Sequence, residues 1–319
     1  MAAIETEALT KDYYLGFWRP RPYRALDALT MTVAEGEVFG FLGPNGAGKS
    51  TTLKLLMGLI FPTSGTARIL GKPVGDLDMR RRIGFLPENP SFYDYLTAEE
   101  LLEYYAGLSG LRGEERRRRV SVSLDEVGIG GERRMTLRSF SKGMIQRVGV
   151  AQALVAAPSV VFLDEPMSGL DPLGRRHLRQ LMLRLRDRGC TVFFSSHILA
   201  DAEALCSQVG IVVQGRLMAI GRLADMVAFE LRGWEMVVAN LPDATKEKLH
   251  GRVSLTPLTN QRYTLELPPS EPPERLIETL AADGVEVVSL NPIRTTLEDY
   301  FVSMVNLAAP RDLDGVSGS

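Results

Sequence analysis

Cysteine is scarce: Cys190 and Cys206 are the only two in 319 residues. Neither stands in a metal-ligand or dithiol spacing, and this usage suits a reducing compartment. Histidine is nearly as rare, with three residues. No apolar run approaches the roughly 18 residues needed to cross a bilayer. Met1–Thr10 carries glutamates instead of an apolar stretch, so it does not read as a secretion signal. The expectation is a soluble chain whose membrane role, if any, requires a partner. A basic excess is missing too: the net charge is −2 and the isoelectric point is near 6.0. Arg80 to Arg82, Arg116 to Arg119 and Arg133-Arg134 do form clusters. Glu114, Glu115 and Glu132 lie beside some of them, so they read as solvated helix faces and no nucleic-acid partner is expected. Sustained heptads are absent.

What is present is enough to build a core. Hydrophobic residues make up 45% of the chain, and the length fits one large domain or two smaller ones. The strongest local signal is Gly43-Pro44-Asn45-Gly46-Ala47-Gly48-Lys49-Ser50, which fits G-x-x-x-x-G-K-[ST] at every fixed position. Val38 to Leu42 before it is an apolar run of strand length. Thr51 to Met57 after it has apolar residues at helical spacing, with Gly58 as a stop. Glycines let successive N–H groups point at phosphate oxygens, and the following helix adds the positive end of its dipole. Lys49 brings charge to the β- and γ-phosphates, and the Ser50 hydroxyl can ligate Mg²⁺.

A second signal is Val160 to Leu163, a continuous apolar run ending in Asp164-Glu165. Continuous apolarity means burial on both faces, as in a central parallel strand. Two carboxylates at its end suit hydrolysis: Asp164 as a Mg²⁺ carboxylate, and Glu165 as the base for a water in line with the γ-phosphate. Thr191 to Phe194 is a third such strand and ends in Ser195-Ser196-His197, which puts an imidazole at the ligand edge of the sheet.

Around these lie weaker readings. Ala3 to Leu9 alternates weakly, as an edge strand would. Tyr13, Tyr14, Phe17, Trp18 and Tyr23 follow; one of them stacks on a purine base, or together they cover the sheet edge. Leu29 to Val33, Thr66 to Leu70 and Ile83 to Leu86 are short strands. Thr97 to about Val127 is helical, with Thr97 and Glu100 as a capping box. Gln214-Gly215 turns a hairpin between Ile211–Val213 and Leu217–Ile220. Past Gly221 the pattern becomes βαββαβ: Trp234 to Ala239, Asp243 to Leu249, Arg252 to Leu255, Arg262 to Leu267, Pro272 to Ala282 and Val285 to Leu290. Thr295 and Glu298 cap a last helix, whose stripe from Leu297 to Val305 packs on its own domain or on another subunit. The end, 308–319, reads as a disordered tail.

Three further stretches make the chain resemble the nucleotide-binding subunits of ABC transporters. Phe140-Ser141-Lys142-Gly143-Met144-Ile145-Gln146-Arg147 resembles the ABC signature, Ser168-Gly169-Leu170-Asp171 the D-loop, and Ser196-His197 the H-loop switch. The resemblance covers residues 4 to 220 strongly. The remainder more weakly resembles the accessory region of multidrug and antibiotic exporter ATPases that work with separate permeases. It implies an α/β fold: a P-loop NTPase core of ABC type over 1–222, with a helical subdomain at about 88–157. A small C-terminal α+β, ferredoxin-like domain follows over 223–307. It implies ATP and Mg²⁺ as ligands, a second copy of the subunit and a multi-span permease as partners, and the cytoplasmic face of the cell membrane as location.

By position, Tyr13 matches the adenine-stacking aromatic, with Tyr14 as the other candidate. Gly43 to Thr51 match the ATP-phosphate and Mg²⁺ site, Asp164 the metal carboxylate, Glu165 the catalytic base and His197 the γ-phosphate sensor. Ser141 and Gly143 match residues that touch ATP on the opposite subunit. There are two departures. Glu88 stands where the Q-loop glutamine is usual; it can still approach Mg²⁺ or water but adds negative charge. Lys142 and Met144 replace the usual Gly and Gln of the signature. Phe92, Tyr93 and Tyr95 either line the groove for a short permease helix or fill the helical subdomain. The function implied is ATP hydrolysis driving transport, in the export direction. The rival is a soluble ABC-type ATPase acting on ribosomes or nucleic acid.

Overall fold

A computed structural model describes residues 1–16, 21–226, 231–251, 253–294 and 296–308. It separates into two compact units: Met1–Leu223, to which the chain returns at Ser303, and Ala224–Val302.

The first unit opens with a long ribbon, β1 (Ala2–Leu15) and β2 (Arg21–Ala34), and then β3 (Val38–Leu42) feeds the phosphate loop and α1 (Lys49–Leu56). Next come β4 (Ser64–Ile69), β5 (Lys72–Pro73), α2 (Leu77–Arg80) and β6 (Ile83–Leu86). A helical stretch follows: α3 (Ala98–Leu108), α4 (Gly113–Glu126) and α5 (Lys142–Leu154). The chain then returns to strand and helix with β7 (Val160–Asp164), α6 (Pro172–Asp187), β8 (Thr191–Ser196), α7 (Leu199–Leu205), β9 (Gln208–Val213) and β10 (Arg216–Arg222); α8 (Leu223–Met226) begins at the last residue of this unit and runs into the second.

Six strands form the central sheet in the order β10-β9-β3-β8-β7-β6. Neighbours from β9 through β6 are parallel, and β10 closes the edge as an antiparallel hairpin partner of β9. Every residue of β3, β7 and β8 is buried, as their unbroken apolar runs require. Phe39, Phe41 and Phe162 pack around Phe193 at ring-centre distances of 5.4 to 5.6 Å. The register sets Leu42 beside Ser196 and Asp164 beside Ser195. The strand ends of β3, β8 and β7 therefore lie side by side, and the three sequence signals share one edge.

A second, antiparallel sheet has the order β2-β1-β4-β5. Ala3 to Leu9 is thus not an edge strand: β1 pairs on one side with β2 and on the other with β4. Register shifts between Thr6 and Leu9 interrupt its alternation, which is why the pattern looked like a weak edge. In the helical stretch the capping box forms: Glu100 N–H donates to Thr97 Oγ1 at 3.2 Å, and Thr97 N–H donates to Glu100 Oε2 at 2.9 Å. Gly84 lets α5 lie on β6, because a Cβ there would collide with the Ala153 carbonyl.

The second unit contains β11 (Leu231–Ala239), α9 (Asp243–Leu249), β12 (Ser254–Pro257), β13 (Arg262–Leu267), α10 (Pro273–Ala282) and β14 (Glu286–Arg294). Its sheet runs β12-β13-β11-β14 with all neighbours antiparallel, the connectivity of a split βαββαβ sandwich. Met236, Val238, Leu265, Leu267, Leu276 and Leu280 fill its core. The strand expected from Arg252 starts at Ser254, and Arg252 itself lies outside the described residues. The last helix, α11, spans Leu297–Ala308. Its capping box closes one residue later than expected: Thr296 N–H donates to Asp299 Oδ2 at 3.0 Å and Asp299 N–H to Thr296 Oγ1 at 3.2 Å. Leu297 is fully buried at the first helical position and sets that register. Thr295, Phe17, Trp18 and 309–319 lie outside the described residues. Among the described residues, no helix is long and apolar enough to cross a membrane.

Candidate active site

The phosphate loop is shaped by glycines that other residues could not replace. Gly46 and Gly48 adopt φ of 80° and 104°. A Cβ on Gly48 would meet the Ala25 carbonyl at 2.5 Å, so the loop lies directly against β2. Gly43 N–H donates to Ser196 O at 3.3 Å, which ties the loop to the end of β8. A cavity of about 410 Å³ opens over the loop. Pro44 to Thr51, Glu88, Glu165, Tyr13, Tyr23 and Ala25 line it.

Lys49 is buried at the start of α1. Its ammonium donates to Gly43 O at 2.7 Å and Pro44 O at 3.3 Å and lies 3.2 Å from Glu165 Oε1. His197 Nδ1 lies 2.8 Å from the other oxygen, Glu165 Oε2. One carboxylate thus bridges the loop lysine and the imidazole at the end of β8. Glu165 itself sits at φ 47°, a left-handed conformation that costs a non-glycine residue energy. Its N–H is held by Ser195 Oγ at 3.0 Å, and the same hydroxyl donates to Asp164 Oδ1 at 2.6 Å. Ser195 therefore holds the Asp164 carboxylate and the Glu165 backbone at once. Its role was not legible in sequence, because it depends on the register between β7 and β8.

Of the residues singled out in sequence, Pro44 to Thr51, Glu88, Glu165 and Tyr13 share the cavity. Gly43, Asp164 and His197 do not line it: Gly43 and Asp164 adjoin the lining residues Pro44 and Glu165 in the chain, and His197 reaches the site through Glu165. Tyr14 does not line it and points away, 71% exposed. Tyr23 does line it and was missed as a separate candidate. Ser141 and Gly143 do not join the cavity of their own chain. Ser141 caps α5, accepting the Met144 N–H at 3.3 Å, and is exposed. A Cβ on Gly143 would lie 3.2 Å from Gly169 O, so the signature turn rests on the segment after Glu165. The Lys142 stem lies over Gly169 as well. Tyr93 and Tyr95 are 62% and 68% exposed, which excludes subdomain core for that pair. Phe92 is half-buried, edge-on to Tyr105 at 6.4 Å.

The arrangement can hold a polyphosphate, collect its charge on Lys49 and offer a carboxylate to a water. A family model described as ABC transporter matches residues 26–168. An ABC transporter ATP-binding protein of Synechocystis, itself uncharacterised, is 42% identical over 302 residues, covering 94% of this chain and 83% of that protein. The chain belongs to the ABC transporter ATP-binding proteins. The bacitracin transport ATP-binding protein BcrA of Bacillus licheniformis is 33% identical, covering 95% of this chain and 97% of BcrA. Among solved structures, a dimeric ATP-binding cassette in a post-hydrolysis state with ADP and Pi is 28% identical. It superposes with a TM-score of 0.64 over 69% of this chain and 98% of its own. This ABC subunit is accordingly an ATP-binding ATPase with a mixed α/β cassette fold. Cassettes of this family function as dimers with membrane permease partners.

Proposed function

We propose that this ABC subunit hydrolyses Mg²⁺-bound ATP as a homodimer on the cytoplasmic face of the membrane and drives export through a separate permease. The observation that carries the chemistry is the Lys49–Glu165–His197 chain at the rim of the phosphate-loop cavity. Loop N–H groups and the start of α1 receive the phosphates. Lys49 neutralises the β- and γ-phosphate charge as it leaves the Gly43 and Pro44 carbonyls. Glu165 accepts a proton from the attacking water as that oxygen bonds to the γ-phosphorus and the bond to ADP breaks. His197 holds the Glu165 carboxylate in place and senses the γ-phosphate. Tyr13 stacks on the adenine.

The donors at hand are hard oxygens: the Ser50 hydroxyl, the Asp164 carboxylate held by Ser195, and Glu88. Among the described residues, no group of three or more His, Cys, Asp or Glu is spaced to enclose a metal unaided. That fits Mg²⁺, which takes one or two protein ligands and completes its shell with phosphate and water. When bound it neutralises charge on the transferred phosphoryl group. Ser141, exposed, and Gly143, half-buried, both lie away from their own cavity and are free to close on the site of a second copy. Export is suggested by the likeness to BcrA.

The test is phosphate release by the purified chain with Mg²⁺ and ATP. Glu165→Gln should lower turnover by roughly 10²- to 10⁴-fold while ATP still binds and a dimer accumulates. A Glu165→Gln monomer with undiminished turnover overturns both the base and the shared site.

A further inference from the structure

We propose that Tyr23 is a second nucleobase-contacting residue, forming with Tyr13 a two-tyrosine wall that reads the base by its π-face. The proposal rests on Gly43–Thr51 being the triphosphate site.

Tyr13 and Tyr23 are register partners across β1 and β2. Directly opposed residues of an antiparallel pair leave the ribbon on the same face. Both line the cavity that contains the phosphate loop, and so does Ala25, two residues along β2. The next register pair, Asp12 and Arg24, forms a two-pronged ion pair with N–O distances of 2.9 and 3.2 Å. Arg24 also reaches Asp27 at 3.0 Å, and Asp27 receives Arg216 at 2.8 Å. This ladder of four charged residues holds the register that puts the two tyrosines side by side.

The ribbon is also stitched to the loop it faces. Asp27 N–H donates to Gly215 O at 2.8 Å, and Gly215 N–H to Ala47 O at 2.9 Å. The distance from the rings to the phosphate N–H groups is therefore set by backbone. Lys11 lies 5.3 Å from the Tyr13 ring centre and donates to Phe61 O at 2.7 Å, which fixes that ring further.

At this end the cavity presents two aromatic rings and a methyl group. Stacking on such a surface favours large rings and tolerates different base edges, because every base has a π-face. The ligand class is thus a purine nucleoside triphosphate, with adenine and guanine accepted within a few-fold and uracil more weakly.

The test is equilibrium binding to the full chain of Mg·ATP, Mg·GTP, Mg·UTP and inorganic tripolyphosphate, for wild type, Tyr23→Ala, Tyr23→Phe, Tyr13→Ala and the Ala pair. Tyr23→Ala is expected to weaken ATP and GTP by roughly tenfold and tripolyphosphate by less than about twofold. Tyr23→Phe should keep wild-type ATP affinity, and the Ala pair should lose more than either single variant. Unchanged ATP binding in Tyr23→Ala overturns the proposal. So does an equal loss of ATP and tripolyphosphate, which would mean a distorted ribbon. Failure of the underlying triphosphate reading shows separately, as tripolyphosphate binding that survives Lys49→Ala.

Discussion

Ser195 donates its hydroxyl to Oδ1 of Asp164 at 2.6 Å, and both groups are almost wholly buried. The same oxygen accepts the N–H of Glu165 at a strained backbone position. Ser195→Ala removes both contacts and leaves a buried carboxylate oxygen and a buried N–H without this partner. Where such an outer partner orients a metal-binding carboxylate, its loss costs about 10- to 100-fold in metal affinity. The Mg²⁺ concentration for half-maximal ATPase activity should rise by about that factor. A Mg²⁺ titration with wild-type midpoint would show that Asp164 needs no such support.

Glu88 lines the same cavity as Lys49 and Glu165. A glutamine there would keep the shape and remove one negative charge from a wall that faces phosphates. Glu88→Gln should therefore tighten ATP binding measured without metal and weaken the dependence on Mg²⁺. Looser metal-free binding in the variant would mean that the carboxylate organises the loop instead of repelling the ligand.

Asp201 tests the electrostatics behind the site. It is 3% exposed on α7; its Oδ2 has no hydrogen-bond partner and Arg179 lies 4.0 Å from Oδ1. Burial raises its pKa above the ordinary carboxylate value, and Arg175 and Arg179 offset this only in part. A raised folded pKa means the fold binds the proton more tightly than the unfolded chain does. That contribution to stability is complete below the ordinary value and is lost as pH rises through the folded one. At pH 7 the charged carboxylate is a cost. Asp201→Asn should melt higher than wild type at pH 7, with the difference closing as pH falls toward about 4. A lower melting point at pH 7 would show that the Arg179 pairing outweighs desolvation.

How much of this was legible before the structure follows from where the signal lies. β3, β7 and β8 are buried on both faces, so their limits can be read from apolarity alone. The phosphate loop and Asp164-Glu165 announce themselves because their chemistry needs particular residues at adjacent positions. The sequence marks β2 only over Leu29 to Val33, whereas the strand runs from Arg21. Its first four residues are all exposed, so no periodicity marks them, and Tyr23 stayed one aromatic among five. Ser195 was visible only as a strand end. Its pairing with Asp164 joins segments 31 residues apart through the parallel register. The box on α11 slipped by one because Thr295 and Thr296 offer two registers and only the burial of Leu297 chooses between them.

Tyr93 and Tyr95 carry the last prediction. Their rings lie 5.7 Å apart and both face solvent. On α3, Tyr104 packs edge-on to Tyr105 at 5.5 Å and is itself more than half exposed. In a family whose cassettes work with permeases, an aromatic patch left open is a surface whose docking role can be tested. Exposed positions of this kind contribute little to folding, so Tyr93→Ala with Tyr95→Ala should change stability by about 0.5 kcal/mol or less. Neither ring lines the phosphate-loop cavity, so ATPase activity of the isolated subunit should persist. Transport through the reconstituted permease should fall, and the permease should no longer alter the ATPase rate. Full transport by the double variant would remove this face from the coupling path and leave the patch without a role in it.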